Sequence, residues 1–253
     1  MEQALMNTVL AGLATGVGGV LAVWQKPTPK ALGMAQGFAA GVMLCVALAD
    51  LMPGSAGWYR EVLGPRRAAL AAASLLAMGM ALAALMGRCL PEDAAPQTGD
   101  GGRARAMRSA WIIGLALLLH NLPEGVLTLF AGAADGQAGL RMALAVALHN
   151  LPEGLAVAMP LYYAAQSRAR AVAAALASGL AEPFGAMVAW LFLGPRLSLG
   201  LLNGLMLTVG GVMIWVSLAE LWPQAADFAG KGRAAAGTAL GILVMTIGIV
   251  LLS

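Results

Sequence analysis

The sequence is poor in charge and in cysteine, and each scarcity excludes a class of protein. Asp, Glu, Lys and Arg make up 11% of the 253 residues, whereas a soluble domain carries about a quarter. Apolar residues make up 60% and the mean hydropathy is +0.81, which excludes a water-soluble enzyme and a disordered chain. The two cysteines, Cys45 and Cys89, are too few for a disulfide framework. We therefore expect a membrane protein whose function lies within the bilayer.

Uninterrupted apolar windows predict an all-α polytopic membrane protein with eight transmembrane helices. A spanning helix needs about 20 apolar residues, and the windows between charged or Pro/Gly-rich breaks satisfy this condition eight times. The predicted spans are 5–24, 32–53, 68–87, 109–131, 142–163, 171–193, 199–222 and 234–252. The longest connection, 88–108, is rich in proline, glycine and charge, which predicts a flexible loop between spans 3 and 4. Residues 1–253 are expected to form a single transmembrane domain.

Basic residues are distributed unequally between the two sides of the predicted membrane. The even-numbered connections hold five cations: Arg60, Arg66, Arg67, Arg141 and Arg196. The odd-numbered connections hold ten: Lys26, Lys30, Arg88, Arg103, Arg105, Arg108, Arg168, Arg170, Lys231 and Arg233. The positive-inside rule then predicts a cytoplasmic 88–108 loop and places both termini on the extracytoplasmic side. The cations form no clustered basic face, so we expect lipid and no nucleic acid as a partner.

Two internal repeats predict an inverted architecture. Residues 120–125 read HNLPEG, and the same six letters recur at 149–154 in the next span. The copies therefore lie on antiparallel helices, related by a two-fold axis in the membrane plane. A second repeat pairs residues 41–53, GVMLCVALADLMP, with residues 211–223, GVMIWVSLAELWP, and aligns Asp50 with Glu220. The two copies of this repeat lie five spans apart, so they also run in opposite directions.

These repeats predict a three, two and three arrangement, with helices 1–3 and 6–8 as inverted groups around helices 4 and 5. Helices 1 and 6 align weakly, through 12–14 and 179–181, and helices 3 and 8 show no defensible alignment. Inverted repeats are typical of alternating-access carriers, which bind substrate near the membrane midplane. Gene duplication without transport is the alternative.

The predicted spans contain ionisable side chains without any Lys or Arg to balance them. They are Asp50, His120, Glu124, His149, Glu153, Glu182 and Glu220. One charged group at a helix centre costs about 2.5–3.5 kcal/mol on insertion scales. Bound protons or a bound metal cation remain as compensators, and the histidines favour a metal because neutral imidazole is a common ligand.

Helical geometry predicts two adjacent metal subsites. At about 100° per residue, Glu124 lies between His120 and Asn121 around the helix axis, so it can share one ion with each. The second copy offers His149, Asn150 and Glu153 in the same way. Imidazole suits borderline ions such as Zn²⁺, and amide and carboxylate oxygens form a harder site. The alternative is that these polar groups only join helices 4 and 5 by hydrogen bonds.

Four further residues carry weaker signals. Glu182, in the middle of span 6, is predicted to be a second-subsite ligand, or else a protonated packing group. Asp50 and Glu220 lie toward opposite mouths, where they could attract and release a cation or be ordinary solvated acids. Met43 lies on the same helical face as Asp50 and could be a soft ligand, or else a core methionine.

The motifs together resemble the ZIP (Zrt/Irt-like) metal transporters. The similarity is greatest to the bacterial GufA/ZupT-like branch and rests on the paired HNLPEG motifs, ADLMP in span 2, GLAE in span 6 and AELWP in span 7. The resemblance implies uptake of divalent transition metals across the inner membrane into the cytoplasm through a binuclear centre, by alternating access. It implies zinc as the first substrate, with Fe²⁺, Mn²⁺, Co²⁺ and Cd²⁺ as related ions.

The resemblance also implies roles for individual residues. The first subsite would use His120, Glu124, His149 and Glu153, with Met43 as an addition. The second would use Asn121, Glu124, Asn150, Glu153 and Glu182, while Asp50 and Glu220 would lie on the routes into and out of the site. The chain departs from the family in three places: Asp50 replaces an expected glutamate, Asn150 replaces an acid of other branches, and the 88–108 loop contains no histidine.

Other functions remain open at the level of sequence. An intramembrane metalloenzyme would also collect His and Glu, but the HExxH pattern of metalloproteases is missing. A proton-coupled carrier of an organic substrate would leave the paired histidines and asparagines without a role. The preferred metal, the driving force and the oligomeric state stay undetermined, and exposed small-residue faces would allow a homodimer.

Overall fold

The computed structural model describes residues 2–89, 101–193 and 198–252, and within these ranges the chain is helical with short connections and no strands. Eight helices are long and apolar enough to span a membrane, which confirms the predicted fold class. They are α1 Glu2–Ala22, α2 Pro29–Leu63, α3 Pro65–Cys89, α4 Gly101–Ala134, α5 Gly136–Ala165, α6 Arg168–Phe192, α7 Leu199–Ala229 and α8 Lys231–Leu252.

Helix α4 begins earlier than the hydropathy predicts. The predicted 88–108 loop is helical at its two ends, because α3 continues to Cys89 and α4 starts at Gly101. Residues 90–100 of that loop lie outside the described residues. The 34 residues of α4 are about 51 Å long, against about 30 Å of bilayer hydrocarbon. The first turns of α4 therefore project beyond the apolar layer. Arginine side chains are hydrated there, and hydropathy does not predict a helix.

The long repeat is visible in the backbone of α2 and α7. Each helix contains a π-helical turn, Val46–Leu51 in α2 and Val216–Leu221 in α7. Pro53 and Pro223 follow the two turns at equivalent positions, and proline cannot donate the helical hydrogen bond. Asp50 and Glu220 lie inside these turns, and π-helical turns are frequent at functional sites.

Helix packing divides the eight helices into two groups. Helices α1, α4, α5 and α6 pack closely on one another, and we call them the site bundle. Helix α2 packs on α8, α3 packs on α7, and these four helices form the support bundle. The three, two and three order therefore describes the symmetry of the sequence, while each packed bundle draws two helices from the first half of the chain and two from the second.

Close glycine contacts show how the repeat brings α1 and α6 together. A Cβ atom on Gly12 would lie 2.3 Å from the carbonyl oxygen of Gly179, and one on Gly179 would lie 2.0 Å from that of Gly12. Gly12 and Gly179 are thus repeat partners that contact each other, as expected near a two-fold axis. The weak sequence alignment of helices 1 and 6 is confirmed by these contacts.

Helices α3 and α8 are also related, although their sequences show no alignment. A Cβ atom on Gly79 of α3 would lie 1.8 Å from the carbonyl oxygen of Thr208, and one on Gly241 of α8 would lie 2.1 Å from that of Phe38. Phe38 and Thr208 are equivalent in the 41–53 and 211–223 repeat frame. Glycine occupies both positions because the backbones touch there, whereas the residues around them show no alignment.

Candidate metal centre

The two HNLPEG motifs meet where α4 and α5 pack together in the site bundle. The ring centroids of His120 and His149 are 6.0 Å apart, and both side chains are buried. One carboxylate lies between them: Oε1 of Glu124 is 2.7 Å from Nε2 of His149, and its Oε2 is 3.3 Å from Nε2 of His120. The three residues offer ligand atoms that all lie within 4.8 Å of one another. This spacing allows one metal ion to contact all three.

Glu153 completes this cluster from α5. Its Oε1 atom lies 3.6 Å from Nε2 of His120, and the side chain is 1% exposed. Within the described residues, neither oxygen of Glu153 receives a hydrogen bond. A buried carboxylate without donors is unfavourable, and a bound cation or proton would balance it.

The two asparagines of the motifs are oriented by backbone carbonyls of neighbouring helices. Nδ2 of Asn121 donates to the carbonyl oxygen of Ser178 on α6 at 2.9 Å, and Nδ2 of Asn150 donates to that of Ala11 on α1 at 2.9 Å. Both Oδ1 atoms are buried and accept no hydrogen bond from the described residues. The amide nitrogen is thereby used for packing, and the oxygen is left to act as a ligand.

Glu182 makes the predicted second subsite asymmetric. It lies in the first turn of the α6 segment Ala181–Val188 and is completely buried, and its Oε1 accepts a short hydrogen bond from Nδ2 of Asn150. Gly125 contacts the backbone of Glu182, and the equivalent Gly154 contacts the backbone of Thr15. Thr15 is therefore the repeat partner of Glu182, so a carboxylate is present on one side only.

A cavity of about 180 Å³ connects this centre to Asp50. Glu124 and His149 line its inner end, and Asp50 lines its outer end at the π-helical turn of α2. Asn203 and Met206 on α7, and Met142 on α5, also line the cavity, and sequence reasoning missed all three. Its position as the single side-chain amide of the predicted 199–222 span was the signal that could have indicated Asn203.

Comparison with known proteins agrees with the geometry. The family model described as ZIP Zinc transporter matches residues 91–253. The zinc transporter ZupT of Corynebacterium efficiens is 39% identical, with 98% of this chain and 96% of that protein aligned. The protein of the same name in Akkermansia muciniphila is 39% identical over 95% of this chain and 94% of its own length. The chain belongs to the ZIP family.

Another ZIP relative, the zinc transporter ZupT of Salmonella arizonae, is 36% identical over 100% of this chain and 98% of its own length. Family membership and the eight apolar helices make this chain a multi-pass membrane protein. The resemblance inferred from the motifs is thereby confirmed.

Two candidate residues of this ZIP chain lie away from the central cluster. Glu220, the repeat partner of Asp50, pairs with Arg108 at 3.5 Å and is half-buried at the opposite end of the molecule. Met43 is 1% exposed and belongs to an apolar core cluster that also contains Val46 and Met213. A ligand role for Met43 therefore stays a prediction.

Proposed function

We propose that this ZIP-family chain carries divalent transition-metal cations across the membrane, with zinc as the principal substrate. The observation that carries the proposal is the buried cluster of His120, Glu124 and His149, whose ligand atoms lie within 4.8 Å of one another. Two imidazoles and a carboxylate suit Zn²⁺ and also accept Fe²⁺, Mn²⁺, Co²⁺ and Cd²⁺. The test is zinc entry into proteoliposomes that contain a zinc-sensitive dye, with protein-free liposomes as the baseline.

The site holds two ions in this proposal. The first subsite is formed by His120, His149, Glu124 and Glu153. The short distances between the histidine and glutamate side chains support this assignment. The second subsite is formed by the oxygen ligands Asn121, Glu124, Asn150, Glu153 and Glu182. The hydrogen bonds donated by both amide nitrogens support this assignment, because they leave the two amide oxygens for a cation.

Replacing Glu182 with threonine is expected to remove the second ion. The variant has threonine at position 182 as well as at its repeat partner, position 15. The oxygen subsite thereby loses Glu182, the only carboxylate that it does not share with the first subsite. We expect about two zinc ions per chain in the parent protein and about one in Glu182→Thr, because carboxylate loss weakens a hard site far more than an imidazole site. Equilibrium dialysis of purified protein with elemental analysis measures this ratio.

Glu61→Thr is the control for this ratio, since Glu61 is an exposed glutamate at the end of α2. It should bind as many ions as the parent. A parent chain that saturates at one zinc would overturn the binuclear proposal, and two ions in Glu182→Thr would remove Glu182 from the ligand set.

Transport follows a route from the Asp50 mouth to the Glu220 mouth by alternating access. The cavity from Asp50 to His149 supports the first half of the route. The position of Glu220 at the equivalent turn of the inverted repeat supports the second half. The two carboxylates attract the cation at one side of the inner membrane and receive it at the other.

The Glu220 end faces the cytoplasm in this proposal, and both termini face the opposite side. Cys89 is exposed at the Glu220 end of α3, whereas Cys45 is buried. A membrane-impermeant maleimide should therefore label the protein in inverted membrane vesicles and spare it in right-side-out vesicles. Labelling from both sides after Cys89→Ser would show that Cys45 contributes, and labelling only in right-side-out vesicles would reverse the orientation.

The remaining expectations of organisation stay predictions. A single transmembrane domain agrees with the close packing of α4 and α5 on helices from both ends of the chain. A homodimer would use the least buried helices, α3 and α8, whose apolar faces otherwise contact lipid.

A further inference from the structure

Arg108 connects the two bundles at the Glu220 end of the molecule. It lies on α4 of the site bundle, and its guanidinium donates to the carbonyl oxygen of Gly87 on α3 at 2.9 Å. The same guanidinium lies 3.5 Å from Oε2 of Glu220 on α7. Helices α3 and α7 belong to the support bundle, so both contacts cross from one bundle to the other.

The chemistry of these contacts suits a specific interaction between the two bundles. The Gly87 carbonyl lies in the last described turn of α3, toward the C-terminal end of the helix, where the helix dipole is negative. The Glu220 side chain is 14% exposed and that of Arg108 is 33% exposed. The donor and the carboxylate of this ion pair are thus partly shielded from water, which strengthens their attraction relative to that of a surface pair.

The inverted repeat is broken at this contact. Glu220 is equivalent to Asp50, and the HNLPEG repeat makes Gln137 equivalent to Arg108. Gln137 is exposed at the start of α5 and carries no charge. Asp50 lines the cavity that reaches His149, whereas Glu220 is held by a cation. Symmetry alone would make the two mouths alike, so Arg108 marks a difference between them.

We propose that Arg108 is a positioning residue that holds the Glu220 mouth closed while the cavity from Asp50 leads to the metal centre. This inference rests on the proposed transport route. Any displacement of the site bundle against the support bundle must break both contacts of Arg108. A divalent cation that arrives at Glu220 competes with the guanidinium for the same carboxylate and favours the released state.

The test measures access to the Glu220 mouth without measuring transport. Ser217 is buried on α7, three residues before Glu220. In a Cys45→Ser/Cys89→Ser background, Ser217→Cys reports whether a small impermeant thiol reagent enters from that end. Arg108→Gln should raise the labelling rate about tenfold, the scale expected for loss of one charge-assisted contact. Arg108→Lys should lie between the parent and Arg108→Gln, because it retains the charge without the planar fork.

Arg105→Gln is the matched control. Arg105 lies one turn before Arg108 on α4 and pairs with Asp227 at 3.2 Å, but both side chains are more than half exposed. Such surface pairs contribute little, so its labelling rate should stay within about twofold of the parent.

Glu220→Gln breaks the same contact from its other side and should also increase labelling. Adding Arg108→Gln to it should produce a smaller increase than Arg108→Gln produces in the parent, because the Glu220 contact is already lost and only the Gly87 contact remains to be broken. Unchanged labelling in both single variants, or equal increases in Arg105→Gln and Arg108→Gln, would overturn the proposal. Zinc uptake is measured separately in the parent protein, so failure of the transport proposal is distinguishable from failure of the proposed role of Arg108.

Discussion

Glu124→Gln is expected to reduce zinc uptake by about 100-fold or more, to near the protein-free baseline. Glutamine preserves the volume of the side chain but removes its negative charge and one acceptor oxygen. Glu124 is the only carboxylate whose two oxygens approach both histidines among the described residues, at 2.7 Å and 3.3 Å. Even residues that merely support a metal ligand are worth about 10–100-fold in affinity, and a shared ligand should exceed that range.

The measurement combines initial uptake rates in proteoliposomes with zinc binding to the same purified preparation. Glu61→Gln is the matched control, because it makes the same change at an exposed position on α2 and should retain parental uptake. Uptake within about threefold of the parent in folded Glu124→Gln would contradict the proposed centre. Loss of uptake with full retention of binding would instead assign Glu124 to the movement of the ion.

Gly154→Ala is expected to destabilise the folded protein by about 1–3 kcal/mol or more, the range for overpacking a tight contact. The added Cβ atom would lie 2.0 Å from the carbonyl oxygen of Thr15 and 2.9 Å from the backbone nitrogen of Gly19. Both obstacles are backbone atoms of α1, so no side-chain rotation relieves the clash. Helices α1 and α5 must separate, which also displaces Asn150 from the Ala11 carbonyl.

Gly57→Ala is the control for this effect. Gly57 is exposed on α2, and a Cβ atom there would meet nothing within 4 Å. Alanine is a better helix former than glycine by about 1 kcal/mol, so this variant should be as stable as the parent or more so. Thermal unfolding followed by size-exclusion fluorescence compares the two. Equal melting temperatures for Gly154→Ala and the parent would show that α1 and α5 tolerate a wider separation.

The candidate centre shows how much of a site a sequence repeat can predict. His120 and Glu124 are one helical turn apart, so their shared face follows from helix geometry alone. The duplicated motif on consecutive spans predicts that His149 opposes them, and the structure brings His149 to 2.7 Å from Glu124. The orientation of Asn121 was not predictable, because it depends on a carbonyl of Ser178 that lies 57 residues away in sequence.

The residues missed by sequence reasoning have a common physical explanation. In a membrane, lipid-facing and helix-facing positions are both apolar, so hydropathy does not separate them. Met206 and Met142 therefore look like any other methionine until the structure shows that they line the same cavity as Asp50. Hydropathy places Arg108 in the predicted 88–108 loop, because the helical extension of α4 beyond the bilayer has no apolar signature.

The sequence by itself determined the membrane environment, the eight helices, the inverted repeats and the metal-ligating character of the centre. Those properties depend on hydropathy, local helix geometry and residue chemistry, all of which are read along the chain. Only the tertiary structure decided which helices form the two bundles, which oxygen atoms remain for a cation, and that Arg108 holds Glu220 while Asp50 lines a cavity. Those properties depend on close backbone approaches between distant segments, such as Gly12 with Gly179, and no local pattern encodes them.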